Sequence, residues 1–516
     1  MTEARETTVS MADPQPGFDF VRASRSARDA QARWRRTSVA DRLLAVAKLR
    51  AFIAANPLAL AKACGRSNIS ESLAAEVLPL ADACRFLEKT AVRTLRNVRL
   101  SKRGRPGWLR SIQVEQHREP FGLVLIVGPS NYPLMLPGIQ AIQALVAGNA
   151  VLLKPAEHCS AAVVALRDLM VRAGLDERLL QVLPETVEAV DQSVSRGVDK
   201  LILTGSATTG RAVQRSLAEE LVPATMELSG CDAMFVTTTA DIDRAVRCLS
   251  FGLTFNGSQT CIAPRRVFVA EPAAEQFTNL LLGTMATKCA NTICPAGTPS
   301  GGTNRLRSKT TIRAARMVDS AIASGAVSLI DGIDRSGQPF VACPTVLTSV
   351  TPEMQVASED IFAPVTSIFT YTNIDEALAL DDACPYALGA TVFGSDNAPE
   401  TAALLQHVNA GCIVVRDMIV PTADPRVAFG GREQSGFGVT RGAAGLEEMT
   451  RLKVIVRQNG SWLPHLDQPT PLDAEMLTKL IQTLHGPGFI GRISNSISLL
   501  NSALARRRYR RQSEKE

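Results

Sequence analysis

The sequence predicts an α/β fold built on doubly wound, largely parallel sheets. Short apolar runs suited to buried strands lie at 121–128, 150–155 and 200–206. Each runs into a polar turn and then a stretch with helical spacing. Further strands are expected at 265–270, 365–371, 390–393 and 411–415. Strands that alternate with helices place a parallel sheet between helical layers, and such sheets bind ligands where strand ends meet helix starts.

Taken in order, residues 1–20 are polar and expected to be disordered, and 21–95 read as helical from their Ala/Leu/Arg-rich segments with few breakers. Gly104, Pro106 and Gly107 interrupt basic stretches within 96–120. The run from Phe121 to Asn131, broken by Gly128-Pro129, is a buried strand delivering a polar loop. Leu134 to Val146 is helical in character and Gly148-Asn149 ends it. A second strand, Ala150 to Pro155, leaves Lys154 and Glu157 just past its end, a place that is usually solvated surface but suits two ribose hydroxyls. The third strand reaches Thr204-Gly205-Ser206, which opens a helix. Free N–H groups there could hold a phosphate, although plain helix capping accounts for the same turn. No Gly-x-Gly-x-x-Gly follows the first strand.

Two residues carry the chemistry. Cys261 sits in the turn Asn256-Gly-Ser-Gln-Thr-Cys261, and Glu227 lies 34 residues upstream in Met226-Glu-Leu-Ser-Gly230. A thiolate can attack an electrophilic carbon while a carboxylate handles protons or activates water. Any one of eleven cysteines is more simply a small buried hydrophobe, so the pair gains weight only from its neighbours.

Those neighbours resemble the aldehyde dehydrogenase superfamily from about residue 30 to about residue 458. The resemblance rests on Gly128-Pro-Ser-Asn-Tyr-Pro133, Gly148 to Glu157, Thr204-Gly-Ser206, Glu227-Leu-Ser-Gly230 and Gln259-Thr-Cys261. It continues through Pro344 to Leu347, Glu359 to Val365 and Phe429-Gly-Gly431, in the family's order and spacing. It implies an aldehyde dehydrogenase-like fold, with a Rossmann-type cofactor domain (21–99 and 121–229) and an α/β catalytic domain (230–442). It also implies a small oligomerisation arm (100–120 and 443–458), ahead of a linker and basic amphipathic extension at 459–516. Cys261 would be the nucleophile and Glu227 the activator of the hydrolytic water. The Asn131 side chain, with the Cys261 backbone N–H, would form the oxyanion hole. Lys154 and Glu157 would hold the adenosine ribose of NAD, with NADP as the alternative cofactor. Gly205 and Ser206 would hold the pyrophosphate, Asp360 and Phe362 the nicotinamide side, and Leu228 would also touch the cofactor.

Several positions depart from the family pattern. Ser130 stands where a tryptophan commonly precedes the asparagine, and Ser229 and Ser258 replace glycines. Asp360 replaces a glutamate, and Gln140 and Thr440 replace a lysine and a glutamate thought to relay protons. None of these removes a primary catalytic group.

Composition sets the remaining bounds. The 516 residues, 46% apolar and 21% charged, suit a globular protein of two or three domains. No apolar stretch reaches the roughly 18 residues that span a bilayer, and the polar N-terminus does not read as a signal peptide. An odd number of cysteines without paired spacing argues for a reducing cytoplasm and against disulfides. Cys289 and Cys294 lack histidine neighbours, so no metal is expected. The net charge of +6 concentrates after Pro471, where eight Lys/Arg face four Asp/Glu, so the near-neutral core is no nucleic-acid binder. In the extension, Phe489, Ile490, Ile493, Ile497, Leu500 and Leu504 recur at helical spacing ahead of Arg506 to Arg511. Packing on its own protein is the first reading of this helix. Docking of 489–511 on the inner face of a membrane is the second, and a protein partner the third.

The expected function is NAD(P)-dependent oxidation of an aldehyde, long-chain or otherwise lipophilic, to a carboxylic acid in a homodimer or homotetramer. An acylating or reductive relative is the alternative, disfavoured because such chemistry needs no Glu227. A catalytically weak membrane scaffold is disfavoured because Asn131, Glu227 and Cys261 are all present.

Overall fold

The computed structural model describes residues 17–291, 303–333, 335, 343–461 and 463–513. The expected disorder of 1–20 therefore falls mostly outside the described residues, and the first helix begins at Phe20. Cys294 also lies outside them. The chain forms two compact units, one comprising 17–98 with 116–453 and the other 99–115 with the residues from 454 onward.

Among the described residues the first unit holds two large sheets and a two-stranded one, Tyr386–Ala387 against Arg432–Glu433. The first sheet contains β1 (Leu123–Val127), β2 (Ala150–Lys154), β3 (Leu180–Val182), β4 (Lys200–Gly205) and β5 (Ala224–Leu228). The second contains β6 (Asp232–Val236), β7 (Pro264–Ala270), β8 (Val327–Ile330), β9 (Thr345–Thr348), β10 (Val365–Tyr371), β11 (Gly389–Phe393) and β12 (Cys412–Val415). A short strand, β13 (Gly436–Phe437), completes the first sheet, whose order is β13-β5-β4-β1-β2-β3. The second sheet runs β8-β9-β10-β7-β6-β11-β12.

Strands β1 and β2 are buried at every residue, because helices cover both faces and no polar alternation is called for. Parallel register sets Leu125 beside Leu152 on one side and Leu201 on the other. Helix α1 (Met135–Ala147) follows β1 and is buried throughout. It ends at Gly148, whose φ of 98° needs glycine, and an added Cβ would lie 2.9 Å from the Arg42 guanidinium. The last carbonyls of α1 are satisfied by side chains from the N-terminal helices, Trp34 on Leu145 O at 2.7 Å and Arg42 on Val146 O at 2.7 Å. Arg42 is buried and carries its charge into the protein to do so.

The absence of disulfides expected from cysteine spacing is corrected by the structure. Cys289, in the helix Glu271–Asn291, is bonded to Cys343, just before β9. The partners are 54 residues apart in sequence, and only the packing of that helix against the sheet brings their Cα atoms to 5.1 Å.

In the second unit, Arg457 pairs with Glu115 at 2.8 Å and the Ser111 hydroxyl donates to Gln458 at 2.6 Å. Two helices, Asp473–His485 and Phe489–Ser513, then pack against each other. Arg506 is held by Asp473 and Arg510 by Asp467, whereas Arg507 and Arg508 are exposed. The basic cluster thus spends two of its cations inside the hairpin. Among the described residues, no single helix is long and apolar enough to cross a membrane.

Candidate active site

The turn that carries Cys261 follows the helix Ile242–Thr254 and precedes β7. Asn256, Gly257 and Ser258 adopt φ of 51°, 60° and 59°, three successive left-handed residues of which two carry side chains. Each such non-glycine residue costs roughly 1–2 kcal/mol and persists only where its surroundings fix it. Here Asn256 Nδ2 donates to Asn131 O at 3.2 Å and the Ser258 hydroxyl to Gly252 O at 3.1 Å. Cys261 follows, half-buried, on the wall of a cleft of about 350 Å³.

That cleft brings together most of the residues singled out from sequence. Asn131, Gly205, Ser206, Glu227, Leu228, Cys261, Asp360 and Phe362 all line it, as do Ser130 and Ser229. Lys154 and Glu157 are not among its walls: Lys154 is the last residue of β2, the neighbour of β1 in the sheet, and Glu157 lies just past that strand. Lys154 is buried, Glu157 exposed. Burial lowers the Lys154 ammonium pKa, opposed by the carboxylates of Glu185, Glu157 and Glu188 around it.

Asn131 arrives on the loop after β1. Its Nδ2 donates to Gln259 O at 3.0 Å and its Oδ1 accepts from Tyr132 N at 3.0 Å, so one of its two amide hydrogens remains for a ligand. Glu227 arrives on β5. Beside it runs β13, where Gly436 (φ 103°) approaches so closely that an added Cβ would sit 2.0 Å from Met226 O. The chain leaving β13 carries Thr440 to Glu227, and its hydroxyl donates to Oε2 at 2.8 Å. Glu227 Oε1 is buried with no hydrogen-bond partner among the described residues. Burial raises the Glu227 pKa, and the Arg441 charge and the Thr440 hydrogen bond partly oppose the rise. Burial also raises the Cys261 thiol, helped by Glu227, Asp232 and Asp360 and opposed by Arg441. The thiol is therefore protonated at neutral pH and needs a base when it reacts.

Burial raises the pKa of Asp360, and the nearby Arg265 charge and Ser229 hydroxyl oppose the rise. Gln140 donates to the Thr204 hydroxyl at 3.1 Å rather than to a carboxylate.

Several residues of the site escaped the sequence reading. Glu76 is wholly buried and accepts from Leu134 N at 3.1 Å and Met135 N at 2.6 Å, fixing the start of α1. Burial pushes its pKa up to about 7 against the pull of Arg66, which pairs with it at 2.7 Å and stacks on the Tyr132 ring at 5.0 Å. Arg313, from the helix Thr303–Ala323, lines the cleft and donates to Asp360 O at 3.2 Å. Arg441 is buried over the Phe429 ring at 4.4 Å and donates to Thr422 O at 2.6 Å. Arg265 and Arg266 escaped it too, although two adjacent cations entering an apolar strand are a signal that could have found them, because buried strands rarely carry charge.

The cleft thus gathers a thiol, a buried carboxylate and a side-chain amide together with the start of a helix and the loop of Asp360 and Phe362. The aldehyde dehydrogenase family profile matches residues 3–455. The chain belongs to the aldehyde dehydrogenase family. It is 30% identical over 385 residues to succinate-semialdehyde dehydrogenase (NADP(+)) 1 of Mycobacterium ulcerans, covering 74% of this chain and 82% of that one. Among solved structures it is similar to the NAD-dependent aldehyde dehydrogenase from Sinorhizobium meliloti, with a TM-score of 0.77 at 26% identity. That match covers 87% of this chain and 88% of that one. It is also similar to succinate-semialdehyde dehydrogenase from Burkholderia pseudomallei, with a TM-score of 0.75 at 25% identity and coverage of 85% and 90%. This aldehyde dehydrogenase is thus an oxidoreductase that uses NAD(P) to oxidise an aldehyde.

Proposed function

We propose that Cys261 is the nucleophile of this aldehyde dehydrogenase, Glu227 its general base and Asn131 its oxyanion donor. The observation that carries the assignment is that all three line the cleft that also holds Ser206, Asp360 and Phe362. A dinucleotide fits the remaining walls. Ser206 caps the helix Ala207–Glu220, which turns its free N–H groups toward a pyrophosphate, and Lys154 and Glu157 supply a cation and a carboxylate for a ribose.

The steps follow from the donors and acceptors present. The Cys261 sulfur bonds to the aldehyde carbon as its proton leaves toward Glu227, which lines the same cleft. Asn131 Nδ2 and the Cys261 N–H stabilise the developing oxyanion. Bound NAD(P) supplies the hydride acceptor that turns the thiohemiacetal into a thioester. After giving the thiol proton up to solvent, Glu227 removes a proton from water as the water oxygen bonds to the thioester carbon. The C–S bond breaks, the acid leaves and the thiol regains its proton. A raised pKa suits Glu227 to both transfers, because a base works best near the pH at which it operates.

NAD is the proposed cofactor over NADP, because Glu157, Glu185 and Glu188 gather where a 2′-phosphate would bring two more negative charges. The named activity of the Mycobacterium and Burkholderia relatives makes succinate semialdehyde the first substrate to test. Long-chain apolar aldehydes form the second arm of the panel. They are favoured by the hairpin of the second unit, which exposes Leu477 and Ile481 on one helix and Ile497 and Leu500 on the other, near Arg507 and Arg508. Such a surface suits an anionic bilayer, to which a lipophilic substrate would partition. Assembly as a homodimer or homotetramer is proposed on the edge strand Thr450–Gln458, where Leu452, Val454 and Val456 are exposed at alternate positions. Purified enzyme with NAD or NADP and both aldehyde classes, followed by the absorbance of reduced nicotinamide, tests the assignment. Turnover that survives in Cys261→Ala would overturn it.

A further inference from the structure

Arg265 is the largest wholly buried side chain in the described protein, and it faces no carboxylate at hydrogen-bonding distance. Its guanidinium instead spans two loops. Nη1 donates to the Ser258 hydroxyl at 2.8 Å and to Ala363 O at 2.6 Å, and Nη2 donates to Ser258 O at 2.7 Å. Ser258 belongs to the left-handed turn that leads to Cys261, and Ala363 directly follows Phe362, which lines the cleft with Asp360. A buried guanidinium is costly to desolvate, and three hydrogen bonds to neutral acceptors offset that cost only while both loops keep their places.

The serine and the arginine depend on each other. A glycine at 258 would meet the positive φ more cheaply but would remove one acceptor from a buried cation. Shifting the 360–363 loop by an ångström would break the Ala363 contact and leave the guanidinium short of a partner. The two loops are therefore mechanically linked through one rigid fork.

We infer that Arg265 is a positioning residue that couples occupancy of the nicotinamide-side loop, Asp360 to Ala363, to the placement of Cys261. A dinucleotide drawn against Asp360 and Phe362 fixes Ala363, Arg265 transmits that position to Ser258, and the nucleophile turn follows. The inference rests on the proposed cofactor site and extends it to a path by which the cofactor prepares the thiol.

Alkylation of Cys261 by iodoacetamide, followed by peptide mass spectrometry with and without saturating NAD, reads the coupling without any turnover. Calorimetry of NAD binding on the same preparations reads the cofactor site separately. In the wild type NAD should change the alkylation rate at Cys261 by about fivefold or more, the lower end of ordinary coupling between sites. In Arg265→Met this response should fall below about twofold while NAD still binds. Arg265→Lys keeps the charge without the fork, so it serves as the second variant should Met impair folding, and it too should lack the response. Ser258→Ala, which removes one of the three acceptors, should lie between. NAD binding with no alkylation response in the wild type, or a full response in Arg265→Lys, would overturn the inference. Absence of NAD binding to the wild type would instead defeat the cofactor-site reading on which it rests.

Discussion

The Thr440 hydroxyl donates to Glu227 Oε2 at 2.8 Å and leaves Oε1 buried without a partner among the described residues. One oxygen is thus occupied and the other kept free to take a proton, and the carboxylate remains basic because burial raises its pKa. Thr440→Val keeps the shape and removes the donor. Activity needs the deprotonated carboxylate, so the rate climbs as pH rises through the raised pKa of Glu227. Losing a hydrogen bond to the anion raises that pKa further, and the acid limb of the pH–rate profile should move up by about one unit. Arg441→Met should move it the same way, because the Arg441 charge also lowers Glu227. An unmoved limb in both variants would separate Glu227 from the observed ionisation.

Removing the thiol should abolish turnover. Cys261→Ala is expected to lose at least about a thousandfold in kcat, as removal of a nucleophile does elsewhere. Its thermal midpoint should stay within a few degrees of the wild type, since Cys261 is half-buried on a cleft wall rather than packed in a core.

Glu227→Gln separates the two proton transfers. If the carboxylate serves mainly the hydrolytic water, rapid mixing should show one equivalent of reduced cofactor formed in a burst, followed by slow turnover. Loss of the burst would place the larger demand on the thiol, as its raised pKa foreshadows.

Cofactor choice turns on charge beside Lys154. Glu157→Ser should improve kcat/KM with NADP relative to NAD by about tenfold, equivalent to relieving roughly 1.4 kcal/mol of repulsion. A wild-type enzyme that already prefers NADP would show instead that Lys154 outweighs the three carboxylates near it.

The hairpin can be tested by comparing the whole chain with one ending at residue 470 in co-sedimentation with vesicles containing anionic lipid. With Arg506 and Arg510 held by Asp473 and Asp467, only Arg507 and Arg508 are counted on, at about 1 kcal/mol each near the surface. Binding of the whole chain should therefore be modest and should vanish at high salt. Equal sedimentation of the two forms would remove the membrane from the account.

Much of this protein was legible in its sequence because the signals are local. The apolar run at 123–127, the glycine stop at Gly148 and the Ser206 cap each act over a few residues, so periodicity and turn chemistry suffice to place them. Cys261 and Glu227 stand out for the same reason, each in its own short motif. What tertiary structure decided was how buried polar groups satisfy one another. Glu227 finds Thr440 across 213 residues, Arg265 finds Ala363 across 98 and Gln140 finds Thr204 across 64. The disulfide between Cys289 and Cys343 has the same origin. A buried donor or acceptor must be paired wherever the packed segments happen to offer a partner, and a linear pattern carries no record of which segments those are.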